Sequence, residues 1–467
     1  MRLTSQLRDK EINLLSINMA KKILNTFILA LAFSTAFGQY LTKNSLLSDL
    51  TYLNEAVQNG HPVNYKDKKT EDIQNVIIEA KKTVSDTLKP FEYTLWIEKA
   101  IFNVGCVHTS IKKNPLLLPS STFSYFPCAL KMSNSEIIVK NCTDTLLIGH
   151  KILSINKTES SKIIQAFSQY KASDGKSDAF AKQYFQLAST KLIAVLLNNP
   201  SVYEIITDKG VFTLPATPKG IFDIEAKSPR EYHLINNGNF LSFQNKIPIL
   251  RFTDFSKSDI NFIQKSFRAI ADRNSKQLII DLRQNTGGNR KASIELTRYL
   301  ADSVFSYSIL QPKLKTKSYL DGKGKFFLFL SKLKYNIGNV HKGHKTALGK
   351  EFLYRYTPKK KNNFNGQIFV LTDGFTASAS TMVTSWLKQF TNANFYGTQA
   401  GGGYNGNNGG TFPTLTLPNS KIEVIFPAYR LILDRRSTVS QGIIPEQNSI
   451  ETNTNYNDII QIINGVI

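Results

Sequence analysis

Two separated stretches hold residue types that could do chemistry on a carbonyl. One runs Gly366-Gln-Ile-Phe-Val-Leu-Thr-Asp-Gly-Phe-Thr-Ala-Ser-Ala-Ser380. Its apolar run Ile368–Leu371 is short enough for a buried strand, and Asp373-Gly374 supplies turn residues behind it. Apolar residues then recur at helical spacing, at Ala379, Met382, Val383, Trp386, Leu387 and Phe390. Ser378 therefore falls at a strand-to-helix junction. A hydroxyl there lies near unpaired helix N–H groups, which can stabilise an oxyanion developing on an attacked carbonyl. The commonplace alternative is a serine that only caps the helix. The other stretch, Gln277-Leu-Ile-Ile-Asp-Leu-Arg-Gln-Asn-Thr-Gly-Gly288, reads as a buried strand entering a glycine turn. Glycines let the backbone come close to another group, and their N–H groups can face a reacting oxygen. A plain turn closed by Asn and Gly is the ordinary alternative.

Together the two stretches resemble the C-terminal-processing and tricorn-like serine peptidase family, the tail-specific proteases. Asp281 to Gly288 matches its Asp-Leu-Arg-x-Asn-x-Gly-Gly signature, and Ser378-Ala-Ser its nucleophile motif. The resemblance implies an α/β fold with a ClpP/crotonase-like βαβ core. It also implies Ser378 as nucleophile, with backbone N–H groups of Gly288 and Ala379 as the oxyanion hole. A serine hydroxyl needs an adjacent base, itself oriented by a third group. In the tricorn-like branch that base is the histidine of a Gly-Asp-Gly-His-Thr motif. Here the matching residue is His108, with Cys106-Val107 standing where Asp-Gly is usual. The processing branch instead takes a lysine from a Gly-x-x-x-x-Gly-Lys-Gly segment. This chain has Gly397-Thr-Gln-Ala-Gly-Gly-Gly-Tyr there, Gly403 in the lysine's place, and neither Lys nor Arg from Gln389 to Ser420. The resemblance is thus to the branch lacking the catalytic lysine. Gly442-Ile-Ile-Pro-Glu446 resembles the family's Gly-Val-x-Pro-Asp, near which the tricorn-like branch places a glutamate. Glu446 and Asp434 are the candidate acids for orienting His108.

The elements that must position these groups come from a chain of 467 residues, long enough for two or three domains. Hydrophobic content of 41% with 20% charged residues excludes a disordered chain. The net charge is +23, with lysines concentrated from Lys313 to Lys361 and no nucleic-acid motif beside them. A solvated basic surface is expected rather than a nucleic-acid partner. Residues 1–38 read as a signal peptide: Met19-Ala-Lys-Lys, the apolar run Ile23–Phe33, then Ala36 and Gly38, with Met19 as a second candidate start. Export to the periplasm or exterior follows, without a stable membrane anchor. Residues 39–115 read as helical, including Thr70–Ser85 and a run from Thr94 to Val104 that delivers His108. Residues 116–225 read as a β-rich module. Within it, Leu146 to Lys157 resembles the Gly-Asp-x-Ile-x-x-Ile-Asn-Gly signature of PDZ domains, which bind peptides by strand addition. His150 and Lys157 replace the usual Asp and Gly there. Residues 226–467 show strand Ile247–Phe252, helix Asp259–Arg273 and helix Ala292–Leu300 in βαβ rhythm, and the resemblance implies that they form the serine peptidase core. Cys128 and Cys142 could form a local staple, leaving Cys106 odd, and no spacing fits a metal site. The expected protein is an exported serine peptidase acting on peptides or unfolded chains, with no metal or cofactor; oligomeric state is left open. A catalytically inactive peptide- or small-ligand-binding protein on the same scaffold is the rival from another class.

Overall fold

The computed structural model describes residues 41–64, 71–117, 123–221, 232–337, 343–446 and 450–465. The expected signal segment lies outside these residues. At the centre is a six-stranded sheet in the order Leu234–Asn236, Asn239–Gln244, Ile247–Arg251, Gln277–Asp281, Gln367–Thr372, Asn394–Gly397. Its last four strands are parallel, and Asp281 pairs with Leu371. Parallel strands are buried on both faces, hence their unbroken apolar runs. Side chains alternate between two cores as the pleat requires. Leu278, Ile280, Ile368 and Val370 join the layer containing helices Asp259–Asp272, Arg290–Arg298 and Ala379–Phe390. Ile279, Phe369 and Leu371 pack on the opposite face against the Tyr456–Ile463 helix.

The lysine-rich stretch is not a simple loop. Phe305–Pro312 and Gly349–Tyr356 pair over their whole length within a second sheet, which also takes Tyr429–Ile432 and Gly406–Gly409. The described part of the expected β-rich module is an antiparallel sheet packed on helices Ser160–Phe167 and Ala179–Leu196 around a core of its own. Its strands Cys128–Met132 and Ile137–Cys142 are joined by the Cys128–Cys142 disulfide at directly paired positions. Cys106 is free and buried.

Helices Lys43–Gly60, Glu71–Thr83 and Pro90–Val104 pack on one another at the N-terminal side. Buried Asp49 stitches them to the rest: it accepts from Tyr93 Oη (2.8 Å) and from the N–H groups of Asn419 (2.8 Å) and Ser420 (2.9 Å). The third helix stops at Gly105, whose φ of 65° is left-handed and suits glycine. That stop turns the chain toward His108.

Candidate active site

The strand Gln367–Thr372 ends at Asp373, which laces the nucleophile turn to the glycine turn. Its carboxylate accepts the N–H groups of Gln284 (3.0 Å) and Phe375 (3.0 Å) and the hydroxyl of Thr452 (3.1 Å). Thr376 Oγ1 donates to the carbonyl of Leu282 (3.0 Å), and Asn285 Oδ1 accepts from Gly287 N–H (2.8 Å). Burial pushes the Asp373 carboxyl up to about 6, so it is ionised at neutral pH. Held this way, Ser378 adopts φ 56°, ψ −117°, a conformation an L side chain rarely takes. Such strain costs on the order of 1–3 kcal/mol and persists only where surrounding bonds enforce it. Its side chain makes no capping bond, so the helix-cap alternative does not describe it.

The glycines are required by contact. A Cβ on Gly287 would stand 2.6 Å from Ser378 Cβ and 2.8 Å from Ala379 N; one on Gly288 would meet Phe255 O at 2.2 Å. Among the described residues, neither Gly288 N–H nor Ala379 N–H donates to a turn or cap carbonyl. Two uncommitted donors therefore border the serine.

Behind them, the signature's charged pair is structural. Asp281 accepts from Arg283 Nε (3.0 Å) and Nη2 (2.8 Å), from Tyr456 Oη (2.7 Å) and from Arg251 Nη1 (3.3 Å). Burial alone would raise its pKa, but the two guanidiniums overcome that and hold it well below the carboxylate range. Arg283 Nη1 also donates to the carbonyls of Glu451 (2.9 Å) and Thr454 (3.1 Å).

His108 is half-buried, its ring stacked on Phe412 at 5.2 Å between centroids. Burial lowers its pKa to about 4, leaving a neutral imidazole able to take a proton. Its Nδ1 is buried with no hydrogen-bond partner among the described residues. One residue sets the turn that carries it. Buried Asp174 accepts Val107 N–H (3.0 Å) on one carboxylate oxygen and Gly403 N–H (2.8 Å) on the other. Asp174 N–H donates to Gly401 O (2.8 Å) and Gly175 N–H to Gly105 O (3.1 Å). The glycine loop in turn reaches the nucleophile: Gly402 N–H donates to Thr376 O (3.1 Å). The run from Val107 through Asp174 and Gly401–Gly403 to Thr376 thus brings the histidine turn and the serine turn to one glycine loop. A Cβ on Gly403 would stand 2.5 Å from Ser440 O, so a lysine does not fit where the processing branch carries one. Thr109, next to His108, bonds to His61 Nε2 (2.8 Å), while His61 Nδ1 accepts Val63 N–H (3.0 Å). Burial, Arg430 and His108 push His61 down to about 3; its role is to pack the turn.

Residues 246–447 match the model of peptidase family S41. This stretch of the chain carries that family's domain. The chain is a serine-type peptidase. Two solved structures share its fold: mature CPAF complexed with lactacystin (13% identity, TM-score 0.56, covering 91% of this chain and 99% of that one) and mature CPAF alone (14% identity, TM-score 0.56, 91% and 98%). No curated protein sequence matches the chain.

For an S41 peptidase the candidate acids stand in unexpected places. Glu446 is exposed and pairs with Lys388 Nζ (3.0 Å), at the far end of the helix that Ser378 opens. Asp434 accepts Arg436 N–H (2.9 Å) and Tyr404 Oη (3.4 Å), and lines a cleft of about 250 Å³ with Glu351 and Arg435. Neither is hydrogen-bonded to the His108 ring. Sequence reasoning missed Asp174 altogether and took Asp373 for a turn residue. The Asp174-Gly175 pair was the available signal, but it reads as any turn would.

Proposed function

We propose that Ser378 and His108 hydrolyse peptide bonds through an acyl-enzyme. Ser378 Oγ attacks the scissile carbonyl carbon while His108 takes the hydroxyl proton. The resulting oxyanion lies between Gly288 N–H and Ala379 N–H. Collapse breaks the C–N bond, and His108 returns the proton to the departing amine. Water, deprotonated by the same imidazole, then attacks the acyl ester and frees Ser378. The observation that carries this is the strained Ser378 beside two uncommitted N–H groups. Peptides or unfolded chains are the expected substrates, because an extended backbone can present its carbonyl to so enclosed a turn. Export through the 1–38 segment is part of the proposal, and the Cys128–Cys142 disulfide supports an oxidising compartment.

The test is labelling with a fluorophosphonate probe. Wild type is expected to label, and Ser378→Ala and His108→Ala to remain unlabelled with unchanged circular dichroism. A folded wild type that never labels would hand the site to the non-catalytic binding alternative.

A further inference from the structure

The most unusual surface outside the catalytic centre is the helix Gly322–Ile337. Its inner side is thin: Leu328 is buried and Ser331 Oγ bonds to Tyr429 Oη. The remainder of its apolar side faces outward, with Phe326 59%, Phe327 59%, Phe329 60%, Leu330 41% and Leu333 43% exposed. At about 100° per residue, Phe326, Phe329, Leu330 and Leu333 form one strip pointing directly away from the protein. Exposed Lys323 lies on one flank of that strip, and exposed Lys325 and Lys332 on the other. The helix contains no acidic residue. It sits within the lysine-rich stretch from Lys313 to Lys361, where fourteen lysines and arginines oppose only Asp321 and Glu351, a net of +12. More than half of the chain's net charge of +23 therefore lies in the sequence stretch that carries this apolar ridge.

We infer that this helix seats the peptidase reversibly on an anionic lipid surface. An apolar ridge edged with lysines is what a helix lying in the plane of a bilayer interface requires: rings enter the acyl boundary, while flanking ammonium groups stay at the headgroups. Surfaces without a partner rarely expose so contiguous an apolar strip. A protein partner could bury the ridge, yet it would have to answer a net positive surround with a matching acidic rim. An anionic bilayer supplies both features at once. No described helix is long and apolar enough to cross a membrane, so the contact is peripheral.

The test is co-sedimentation of the purified chain with vesicles of phosphatidylcholine, alone or mixed with phosphatidylglycerol. Binding is expected only to the anionic vesicles and is expected to weaken in high salt. The joint variant Lys323→Gln/Lys325→Gln/Lys332→Gln should bind about a hundredfold more weakly, each lysine near an anionic surface contributing roughly a fivefold factor. Phe326→Ser/Phe329→Ser/Leu333→Ser should lose at least about tenfold. A Phe329→Trp reporter should shift its emission to the blue on anionic vesicles. Unchanged fluorophosphonate labelling in solution would show that each variant still folds. The inference is overturned if wild type ignores anionic vesicles, if neutral vesicles bind equally, or if both triple variants bind like wild type. It is also overturned if the apolar substitutions dissolve a lipid-free dimer, which would make a second copy the occupant.

Discussion

The two halves of the proposed catalytic centre are built by different means. The serine half lies within the parallel part of one sheet: adjacent strand ends bring Ser378 against Gly287, and buried Asp281, Asp373 and Thr376 fix both turns from below. The histidine half is assembled from three distant segments, and the groups joining them are backbone amides received by Asp174. One half is over-determined, while the other centres on one carboxylate, a few backbone bonds and an imidazole whose Nδ1 has no partner among the described residues. In the proposed mechanism, oxyanion stabilisation would therefore be set rigidly by the fold, and proton transfer would be the adjustable part.

The harshest probe of this contrast is Ser378→Ala, expected to lower peptide hydrolysis by about a millionfold without loss of fold. Next, Gly287→Ala should strike the rigid half. Its new Cβ has nowhere to go, so turnover should fall by about a hundredfold or more and thermal scans should shift downward. Retention of wild-type turnover by Gly287→Ala would break the claim that this half is over-determined. Asp174→Asn keeps one acceptor oxygen but loses the other. We expect a destabilisation of about 1–3 kcal/mol and a slower labelling rate, with Ser378 still correctly held. A labelling rate identical to wild type would remove Asp174 from its positioning role. The mildest probe is pH. His108 loses its proton above about 4, so it is a competent base throughout the neutral range. Labelling should decline slightly as Asp174 and Asp373 take up protons near 6, and should vanish only as the imidazole protonates near 4. A midpoint near the ordinary histidine value would mean that the ring is more hydrated than its packing indicates.

The serine half was legible in the amino-acid sequence because its physics is local. Apolar runs Ile368–Leu371 and Leu278–Ile280 announce buried parallel strands, and glycines beside a Ser-Ala-Ser turn mark close approach. The histidine half was legible only as far as His108. Asp174 works by accepting backbone N–H groups, which leave no partner residue type in the sequence. The bonds that Glu446 and Asp434 make were not legible for a related reason. Glu446 and Asp434 follow the serine in order along the chain, but chain order does not say which end of a helix a loop returns to. The second sheet was hidden by composition. Its lysine content reads as a solvated surface, although Phe305, Tyr307, Ile309, Phe352 and Tyr429 are buried core residues.

Arg283 reaches from the serine half to the carbonyls of Glu451 and Thr454, and Thr452 reaches back to Asp373. The strand ends that shape the serine turn are therefore tied to a segment made well after both turns. A chain cut before residue 451 would carry every proposed catalytic group yet lack the bonds that tie Arg283 and Asp373 to this segment.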